Sequence, residues 1–400
     1  MLGNKSAGIL AVMGLFIAAL NLRPAINSIA PILESIRLDL GMNASAASLL
    51  TAIPVLCMGV FSPLAAKLGT RWGIEKTIMW SLVLIGAGLV LRWFTDSPFF
   101  LILTAVLAGI GIASIGPLLS GFIKRYFPSN VPSMIAVYTM ALTIGAALAS
   151  VLSVPLQTKT DSWQIGLAAW GALAILALPV WLRIVGKYGV HHTRSTSSSQ
   201  MTRLPWKNKN AWLLTLHFGL MAMGFYSITA WLPPIMQSMG YSKLYAGTLL
   251  TIFAVVQIPA GLVLKTLLKR FPSRLIWLLA ASTLEFIGLI LVLLNLLPWL
   301  AAALIGFGAG MLFALSLLLP IDATSNAEDA ASWAAMTQSG GYIIGSAGPI
   351  LIGWVNDATQ SFSLAVIGLI VITVIMSVLQ VIIVPKKAWK NKELAAVKIQ

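Results

Sequence analysis

Twelve apolar runs, separated by short polar or Pro/Gly breaks, occupy most of this 400-residue chain. Each run has the length of about 20 residues that an α-helix needs to cross the hydrocarbon core of a bilayer. Only 9% of the residues are charged, against roughly 25% in soluble domains, so a water-soluble globule could not cover its surface. The sequence therefore predicts an all-α integral membrane protein. The twelve predicted transmembrane helices are centred near residues 20, 56, 85, 111, 143, 173, 224, 256, 284, 309, 343 and 373.

One of the breaks is longer and more polar than the others. It has the sequence GKYGVHHTRSTSSSQMTRLPWKNKN and follows the sixth apolar run. Its serine-rich, basic composition is typical of a linker. We therefore predict an N-terminal six-helix bundle over residues 1–185, a cytoplasmic linker over 186–210, a C-terminal six-helix bundle over 211–385 and a cytoplasmic tail over 386–400.

The basic residues agree with this topology. With a cytoplasmic N-terminus, 21 of the 26 Lys and Arg residues fall on the cytoplasmic side, and Arg37, Arg92, Lys159 and Lys243 fall outside. Membrane proteins hold Lys and Arg on the cytoplasmic side of the bilayer. Topology thus explains the net charge of +15, and no nucleic-acid partner is needed. We expect a multi-pass protein of the inner or plasma membrane with both termini in the cytoplasm.

The two halves of the chain repeat each other. SLLTAIPV at 48–55 parallels TLLTIFAV at 248–255, IGAALA at 144–149 parallels IGSAGP at 344–349, and LAGIG at 107–111 parallels LIGFG at 304–308. The offsets are 200, 200 and 197 residues. Three ordered matches at nearly one offset favour a duplicated six-helix unit, and both copies run in the same direction across the membrane.

Several stretches resemble the cyanate and nitroimidazole transporter branch of the major facilitator superfamily. They are NLRPAINSIAPIL in helix 1, GIEKTI after helix 2, KRYFP at the end of helix 4, GFYSITAWLPPI in helix 7 and QSGGYIIGSAGPILIGWVND in helix 11. The resemblance implies a secondary transporter with a central cavity between two bundles. It also implies that helices 1, 4, 7 and 10 line the cavity, with help from 2, 5, 8 and 11, while 3, 6, 9 and 12 face lipid.

The chain departs from the superfamily pattern in the loop after helix 2. In SPLAAKLGTRWG, Ala66 stands where the family usually has an Asp, whereas Lys67, Gly69 and Arg71 match the rest of the motif. The resemblance assigns these three residues to gating. Asp322, expected in the loop between helices 10 and 11, stands where this branch would have a basic residue.

Arg23 lies in the middle of the first apolar run, FIAALNLRPAINSIAPIL, and is followed directly by Pro24. A charge at mid-helix costs about 2.5–3.5 kcal/mol by insertion scales, so such residues usually face a cavity or a partner. The planar guanidinium suits carboxylate-like anions, and Pro24 removes a backbone donor and loosens the helix. We expect Arg23 to bind an anion or dipole, with Asn27 on the same face one turn later. The alternative is a structural Arg23 paired with carbonyl groups or an acid.

Helices 7 and 11 contribute the other predicted binding residues. Tyr226, Trp231 and Gln237 offer aromatic faces and hydrogen bonds, although Trp231 could equally be an interfacial anchor. We expect the Pro233–Pro234 pair to break helix 7. Gln338 and Tyr342 are four residues apart and share a helix face. The predicted substrate-binding set is Arg23, Asn27, Tyr226, Trp231, Gln338 and Tyr342.

Small residues in helices 5 and 11 predict close packing and a hinge. Gly341, Gly345 and Gly348 precede Pro349 in helix 11, and IGAALASVLSVP in helix 5, which contains Gly145, is their expected partner. We interpret Gly145, Gly345 and Pro349 as gating residues rather than ligands.

Two titratable residues are candidates for proton coupling. Glu285 is an acid deep inside the ninth run, and a buried carboxyl group can carry a proton. It could also be the counter-ion of Arg23, or a neutral group bonded to a neighbouring helix. His217 in helix 7 could titrate, but a lone histidine is more often a packing residue.

Nothing in the sequence indicates an enzyme, a cofactor or a metal site. The glycine repeats GIGIASIG and GFGAG lie inside apolar runs, where a nucleotide-binding loop cannot form. We predict a monomeric secondary transporter that moves a small anionic or polar solute, with a proton as a possible second substrate. Efflux of nitro-aromatic or other drug-like compounds is the alternative within transport, and a non-transporting membrane receptor or assembly factor is the alternative class.

Overall fold

The computed structural model describes residues 5–188, 204–324 and 327–384, so most of the predicted linker and the whole predicted tail lie outside the described residues. The described chain forms twelve helical units, three of which consist of more than one segment. They are α1 (Lys5–Leu20, Pro24–Asn27 and Leu33–Leu40), α2 (Ala44–Trp72), α3 (Ile74–Val90), α4 (Pro98–Tyr126), α5 (Val131–Thr160), α6 (Trp163–Ala168 and Gly171–Tyr188), α7 (Lys209–Ser238), α8 (Lys243–Val255 and Gln257–Arg270), α9 (Arg274–Leu293), α10 (Pro298–Asp322), α11 (Ala327–Thr359) and α12 (Ser363–Ile383).

Eleven helical spans among the described residues are long and apolar enough to cross a membrane. The remaining unit, α11, has 33 residues and also carries Gln338, Ser339 and several glycines. It packs mainly against α2 and α7. The surrounding protein thus shields its polar residues and glycines from lipid. The predicted twelve-helix fold is confirmed.

Equivalent glycines pack in the same way in the two bundles. A Cβ on Gly111 of α4 would come within 2.6 Å of the Ser81 carbonyl oxygen in α3. A Cβ on Gly308 of α10, 197 residues later, would come within 2.6 Å of the Ala281 carbonyl oxygen in α9. Only glycine permits such an approach of two helix backbones. The sequence repeat therefore corresponds to a repeated helix packing.

The two bundles meet from the middle of the membrane, where a Cβ on Gly59 of α2 would lie 2.7 Å from the Ser339 carbonyl oxygen of α11, to one of its faces. We call the face at which Tyr188 ends α6 the linker face, and the face at which Leu40 ends α1 the distal face. At the distal face, both oxygens of the Asp357 carboxylate in α11 accept hydrogen bonds from the first residues of α2. The donors are the Ala44 and Ser45 amides, each at 2.7 Å, and the Ser45 hydroxyl at 2.5 Å.

Further contacts close the distal half between other helix pairs. A Cβ on Gly247 of α8 would lie 2.8 Å from the Ser150 carbonyl oxygen of α5. The Lys243 ammonium donates to the Ser35 hydroxyl of α1 at 2.7 Å. Helices α1, α2 and α5 thus meet α7, α8 and α11 in the distal half.

The linker face carries an ion pair in each bundle. Glu75, at the start of α3, accepts hydrogen bonds from Arg125 at 3.2 Å and from the Tyr126 hydroxyl at 2.5 Å at the end of α4. These residues belong to the GIEKTI and KRYFP stretches, which the fold brings together. In the C-terminal bundle the charges are exchanged, because Arg274 at the start of α9 pairs with Asp322 at the end of α10 at 3.0 Å.

The structure corrects the expected location of Asp322 and explains why this position holds an acid. Asp322 is the last residue of α10 rather than part of a loop. An acid occupies this position because its partner on the neighbouring helix is the base Arg274.

Two expectations about helix packing are wrong. Pro233 and Pro234 do not break helix 7, because α7 runs without interruption to Ser238. Neighbouring helices bury this stretch, and transmembrane helices tolerate proline where the surrounding protein supports the backbone. The glycines of α11 do not pack on helix 5. A Cβ on Gly345 would instead lie 2.7 Å from the Ala222 Cβ of α7, while α5 packs against α8.

Candidate functional site

The first transmembrane helix is interrupted at Arg23. The first segment of α1 ends at Leu20, and a short helix begins at Pro24. The expected loosening by Pro24 is therefore confirmed. Gly145 of α5 packs directly against the Leu20 carbonyl oxygen at the interruption, so the backbone turn is held by a close helix contact. The backbone N–H of Asn27 donates to the Arg23 carbonyl oxygen at 2.9 Å, as expected for residues one helical turn apart.

The Arg23 guanidinium has no acidic partner among the described residues. Its central carbon lies 5.3 Å from the centroid of the Phe225 ring in α7, a cation–π distance. The side chain is half-buried between the two bundles. The Phe225 ring attracts the cation but has no acceptor atom for the N–H groups of the guanidinium. These N–H donors therefore stay available to a ligand.

Three tyrosines form a cluster near this cation. The phenols of Tyr138 in α5 and Tyr342 in α11 interact electrostatically with Arg23, with Tyr226 and with each other. The Tyr226 and Tyr342 rings meet edge to face with centroids 6.3 Å apart. Helices α1, α5, α7 and α11 thus place one cation and three phenols near one another at the boundary between the bundles, with the Tyr226 hydroxyl donating to the Met58 Sδ atom of α2 at 3.7 Å.

Tyr138 was missed in the sequence. It is the only aromatic residue of α5, and this was the one feature of the sequence that could have marked it as a binding residue. The small residues around it directed attention to packing instead. The contact that gives it a place beside Arg23 is tertiary, because the two residues are 115 positions apart (138 − 23).

The other predicted binding residues have different surroundings. Asn27 is buried, and its side-chain oxygen has no hydrogen-bond partner among the described residues. Gln338 is half-buried one turn from Tyr342. The Trp231 indole is fully buried and donates to the Pro349 carbonyl oxygen at 2.9 Å, so its ring packs inside the C-terminal bundle. Gln237 donates to the Pro31 carbonyl oxygen at 3.5 Å across the distal face.

The two proton-coupling candidates lie in different parts of the C-terminal bundle. Glu285 packs against Gly308 of α10 and lines a cavity of about 10 Å³, which is room for about one water molecule. Phe225 lines the same cavity and also contacts Arg23. His217 lies elsewhere, with its Nε2 atom 3.3 Å from the Gln380 amide nitrogen in the packed interior.

The predicted gating residues lie at the linker face and inside the two bundles. Lys67 and Arg71 are exposed near the end of α2 at the linker face, and Gly69 packs against Leu118 of α4. Gly145 and Gly345 make packing contacts within their own bundles, on α1 and α7 respectively. The Ala66 side chain lies outside the described residues.

A larger cavity of about 300 Å³ lies away from these residues. It is a groove between α9 and α12, lined mainly by apolar side chains such as Leu279, Phe286 and Val378. It opens on the outer surface of the C-terminal bundle, where lipid chains would cover it, and it has no charged side chain in its lining. The chemistry that could recognise a polar solute is therefore at Arg23.

Two six-helix bundles related by duplication, with one arginine and a cluster of tyrosines at their boundary, are the architecture of a membrane transporter. The profile of the Major Facilitator Superfamily matches residues 9–346, and the chain belongs to that family. It is accordingly a secondary transporter of small solutes and not an enzyme.

Three relatives match nearly the full length. The chain is 35% identical to the uncharacterized transporter YycB of Bacillus subtilis (strain 168), covering 91% of each chain. It is 32% identical to the 2-nitroimidazole transporter of Escherichia coli (strain K12), covering 92% of this chain and 94% of the relative. It is 30% identical to the cyanate transport protein CynX of the same organism, covering 90% and 95%. The expected branch of the family is thus confirmed.

A solved structure agrees with the fold. The nucleoside transporter NupG, in its D323A form, superposes with a TM-score of 0.77 at 12% identity, covering 94% of this chain and 100% of that chain.

Proposed function

We propose that the chain transports a small anion, which the Arg23 guanidinium binds. The observation that carries this proposal is a half-buried cation at the boundary between the bundles, which has no acidic partner among the described residues and lies near a cluster of three phenols and against one ring face. A bound anion would accept hydrogen bonds from the guanidinium fork and from the hydroxyl groups. The names of two relatives, a cyanate and a 2-nitroimidazole transporter, point to small planar solutes of this kind.

We further propose that the linker face is cytoplasmic and that both termini lie there, in an inner or plasma membrane. The support is the positive-inside rule. Among the described residues, the linker face carries Arg71, Lys76, Lys124, Arg125, Arg183, Lys209, Lys269, Arg270 and Arg274. The distal contacts would then close the outer side of the transporter, and release of these contacts would open the site to the outside.

A thermal-shift screen of the purified wild-type protein tests the anion proposal. The probes are sodium salts of cyanate, nitrite, nitrate and formate, each compared with sodium chloride at equal ionic strength, and neutral 2-nitroimidazole. Stabilisation by at least one polyatomic anion, rising with concentration, is expected. Stabilisation by 2-nitroimidazole alone would instead favour the alternative function, efflux of nitro-aromatic compounds that stack on Phe225 and Tyr226.

We expect Tyr138→Phe to weaken anion binding by about tenfold. The change removes one hydroxyl donor next to Arg23 and keeps the ring, and a hydrogen bond to a charged group is worth about 1.5 kcal/mol. The measurement is the dissociation constant from a thermal-shift or calorimetric titration. Tyr245→Phe, on a stacked and exposed ring near the distal face, is the matched control and should match wild type. Equal affinity in both variants would remove Tyr138 from the site.

We also propose that Glu285 takes up a proton that accompanies the anion. The supporting observation is the small cavity that Glu285 and Phe225 share, because Phe225 also contacts Arg23. Among the residues that line the cavity there is no cation, so a proton is the charge that could neutralise the carboxylate. His217 is less suitable because packed side chains surround it and its ring faces Gln380.

Glu285→Gln is expected to separate exchange from accumulation. The variant should still exchange anion between the two sides of a proteoliposome membrane. It should no longer accumulate anion when a pH gradient is imposed, because glutamine carries no titratable proton. Glu34→Gln, which changes a surface acid paired with Arg37, is the control and should behave as wild type. Undiminished pH-driven accumulation in Glu285→Gln would exclude this role.

A further inference from the structure

A second buried arginine contacts the interrupted stretch of α1. Arg92 lies in the 3-10 turn Leu91–Phe94 that continues α3. The predicted topology places Arg92 among the few basic residues on the outer side of the membrane, but none of its surface is exposed. Its Nη2 atom donates to the Ala25 carbonyl oxygen at 3.1 Å, and its Nε atom donates to the Thr104 hydroxyl at 3.4 Å.

The interruption of α1 creates the acceptor that Arg92 uses. In a continuous helix the Ala25 carbonyl would accept the N–H of residue 29. Here Ile29 donates instead to the Ile26 carbonyl oxygen at 3.3 Å, which leaves the Ala25 carbonyl without a helical partner. Ala25 is fully buried, and a buried carbonyl without a hydrogen bond is costly. Arg92 therefore satisfies the backbone group that the interruption exposes.

The contact is close to the proposed ligand site along the chain. Ala25 and Arg23 are two residues apart and flank Pro24 in the same short segment. Two further buried polar atoms in this region, Arg92 Nη1 and the Asn27 side-chain oxygen, have no hydrogen-bond partner among the described residues. A buried cation is expensive in a membrane protein and is usually functional. An apolar side chain in place of Arg92 could fill the same space without that cost.

We propose that Arg92 is a positioning residue for the transport site. By holding the Ala25 carbonyl, it fixes the segment Pro24–Asn27 and keeps the Arg23 guanidinium directed toward the tyrosines. This inference rests on the proposed function, since it concerns the same anion site. Arg92 itself does not contact the anion.

Hydrogen exchange and anion affinity together test the inference. Arg92→Gln is expected to raise amide exchange in peptides that cover residues 20–33, with little change in the rest of the N-terminal bundle. The dissociation constant for cyanate should rise by roughly tenfold, whereas Arg92→Lys, which can still donate to the Ala25 carbonyl, should recover much of the affinity. In the Arg23→Lys background, in which binding is still measurable, Arg92→Gln should cause a clearly smaller loss of affinity than in wild type, because it acts through the Arg23 fork.

A matched control is available on the unbroken part of the same helix. The Trp181 indole donates to the Gly14 carbonyl oxygen of α1 at 3.1 Å, so Trp181→Phe also removes a buried side-chain bond to this helix. That variant should leave exchange in residues 20–33 and cyanate affinity unchanged. Uniformly raised exchange in Arg92→Gln, or unchanged exchange and affinity, would overturn the positioning role. If wild type and Arg23→Ala respond identically to cyanate, the anion proposal fails, and the exchange data still decide whether Arg92 holds the segment.

Discussion

Arg23→Ala is expected to abolish binding and transport of a small anion, with a loss of affinity of roughly 100-fold or more. The guanidinium is the one cation of the cluster, and it has no acidic partner among the described residues that could be left unpaired by the change. Two charge-assisted hydrogen bonds from a planar fork, at about 1.5–3 kcal/mol each, account for a loss of this size. The measurement is uptake of labelled cyanate into proteoliposomes, with the dissociation constant from a titration of the purified protein.

Arg23→Lys separates charge from geometry. Lysine retains the positive charge but presents a point charge instead of a planar fork, so we expect roughly tenfold weaker binding. Arg183→Ala, which removes an exposed arginine at the linker-face end of α6, is the matched control and should transport as wild type. If Tyr226→Ala reduces transport more than Arg23→Ala, aromatic stacking rather than anion binding selects the substrate.

Asp357→Asn is expected to open the distal face. The Asp357 carboxylate accepts three hydrogen bonds from the N-terminus of α2, where the helix dipole also favours a negative charge. Asparagine has the same shape, but it places an NH2 group against one of these donors. Allowing for its partial exposure to solvent, we expect about 1–2 kcal/mol less stability for the closed state, or a roughly tenfold larger open population.

Cysteine labelling from the distal side measures this change. The only native cysteine, Cys57, is replaced by serine, and Ser150→Cys provides a reporter that is fully buried beneath α8 in the closed state. Labelling by a membrane-impermeant maleimide should be roughly tenfold faster in Asp357→Asn. Asp39→Asn is the control, because Asp39 is an acid of the same face whose bond, from the Trp163 indole at 2.7 Å, stays within one bundle. Equal labelling rates in the two variants would show that Asp357 does not hold the bundles together.

These two residues show where sequence reasoning succeeds and where it stops. Arg23 could be identified from sequence because a charge in an apolar run is costly regardless of its neighbours. The role of Asp357 could not, because the helix 11 stretch that it ends gives no sign of which residues the acid contacts. Its partners, Ala44 and Ser45, are more than 300 positions away in the chain, and only the docking of the bundles brings them together.

Arg92 illustrates the same limit from the other direction. Its position at the end of an apolar run is compatible with a solvated residue outside the membrane. Whether such a residue is exposed depends on the fold around it, here on the carbonyl that the interruption of α1 leaves free. The prolines of α7 are a similar case, since a proline pair predicts a break unless neighbouring helices support the backbone.

The sequence alone determined the membrane class, the number of helices, the duplication and the cation in the first helix. These properties follow from hydrophobicity and spacing, which act locally along the chain and need no knowledge of neighbours. Tertiary structure alone decided that Tyr138 joins Tyr226 and Tyr342 around Arg23 and that an acid closes the distal face. Such contacts join residues far apart in the chain, and their geometry exists only after the helices have packed.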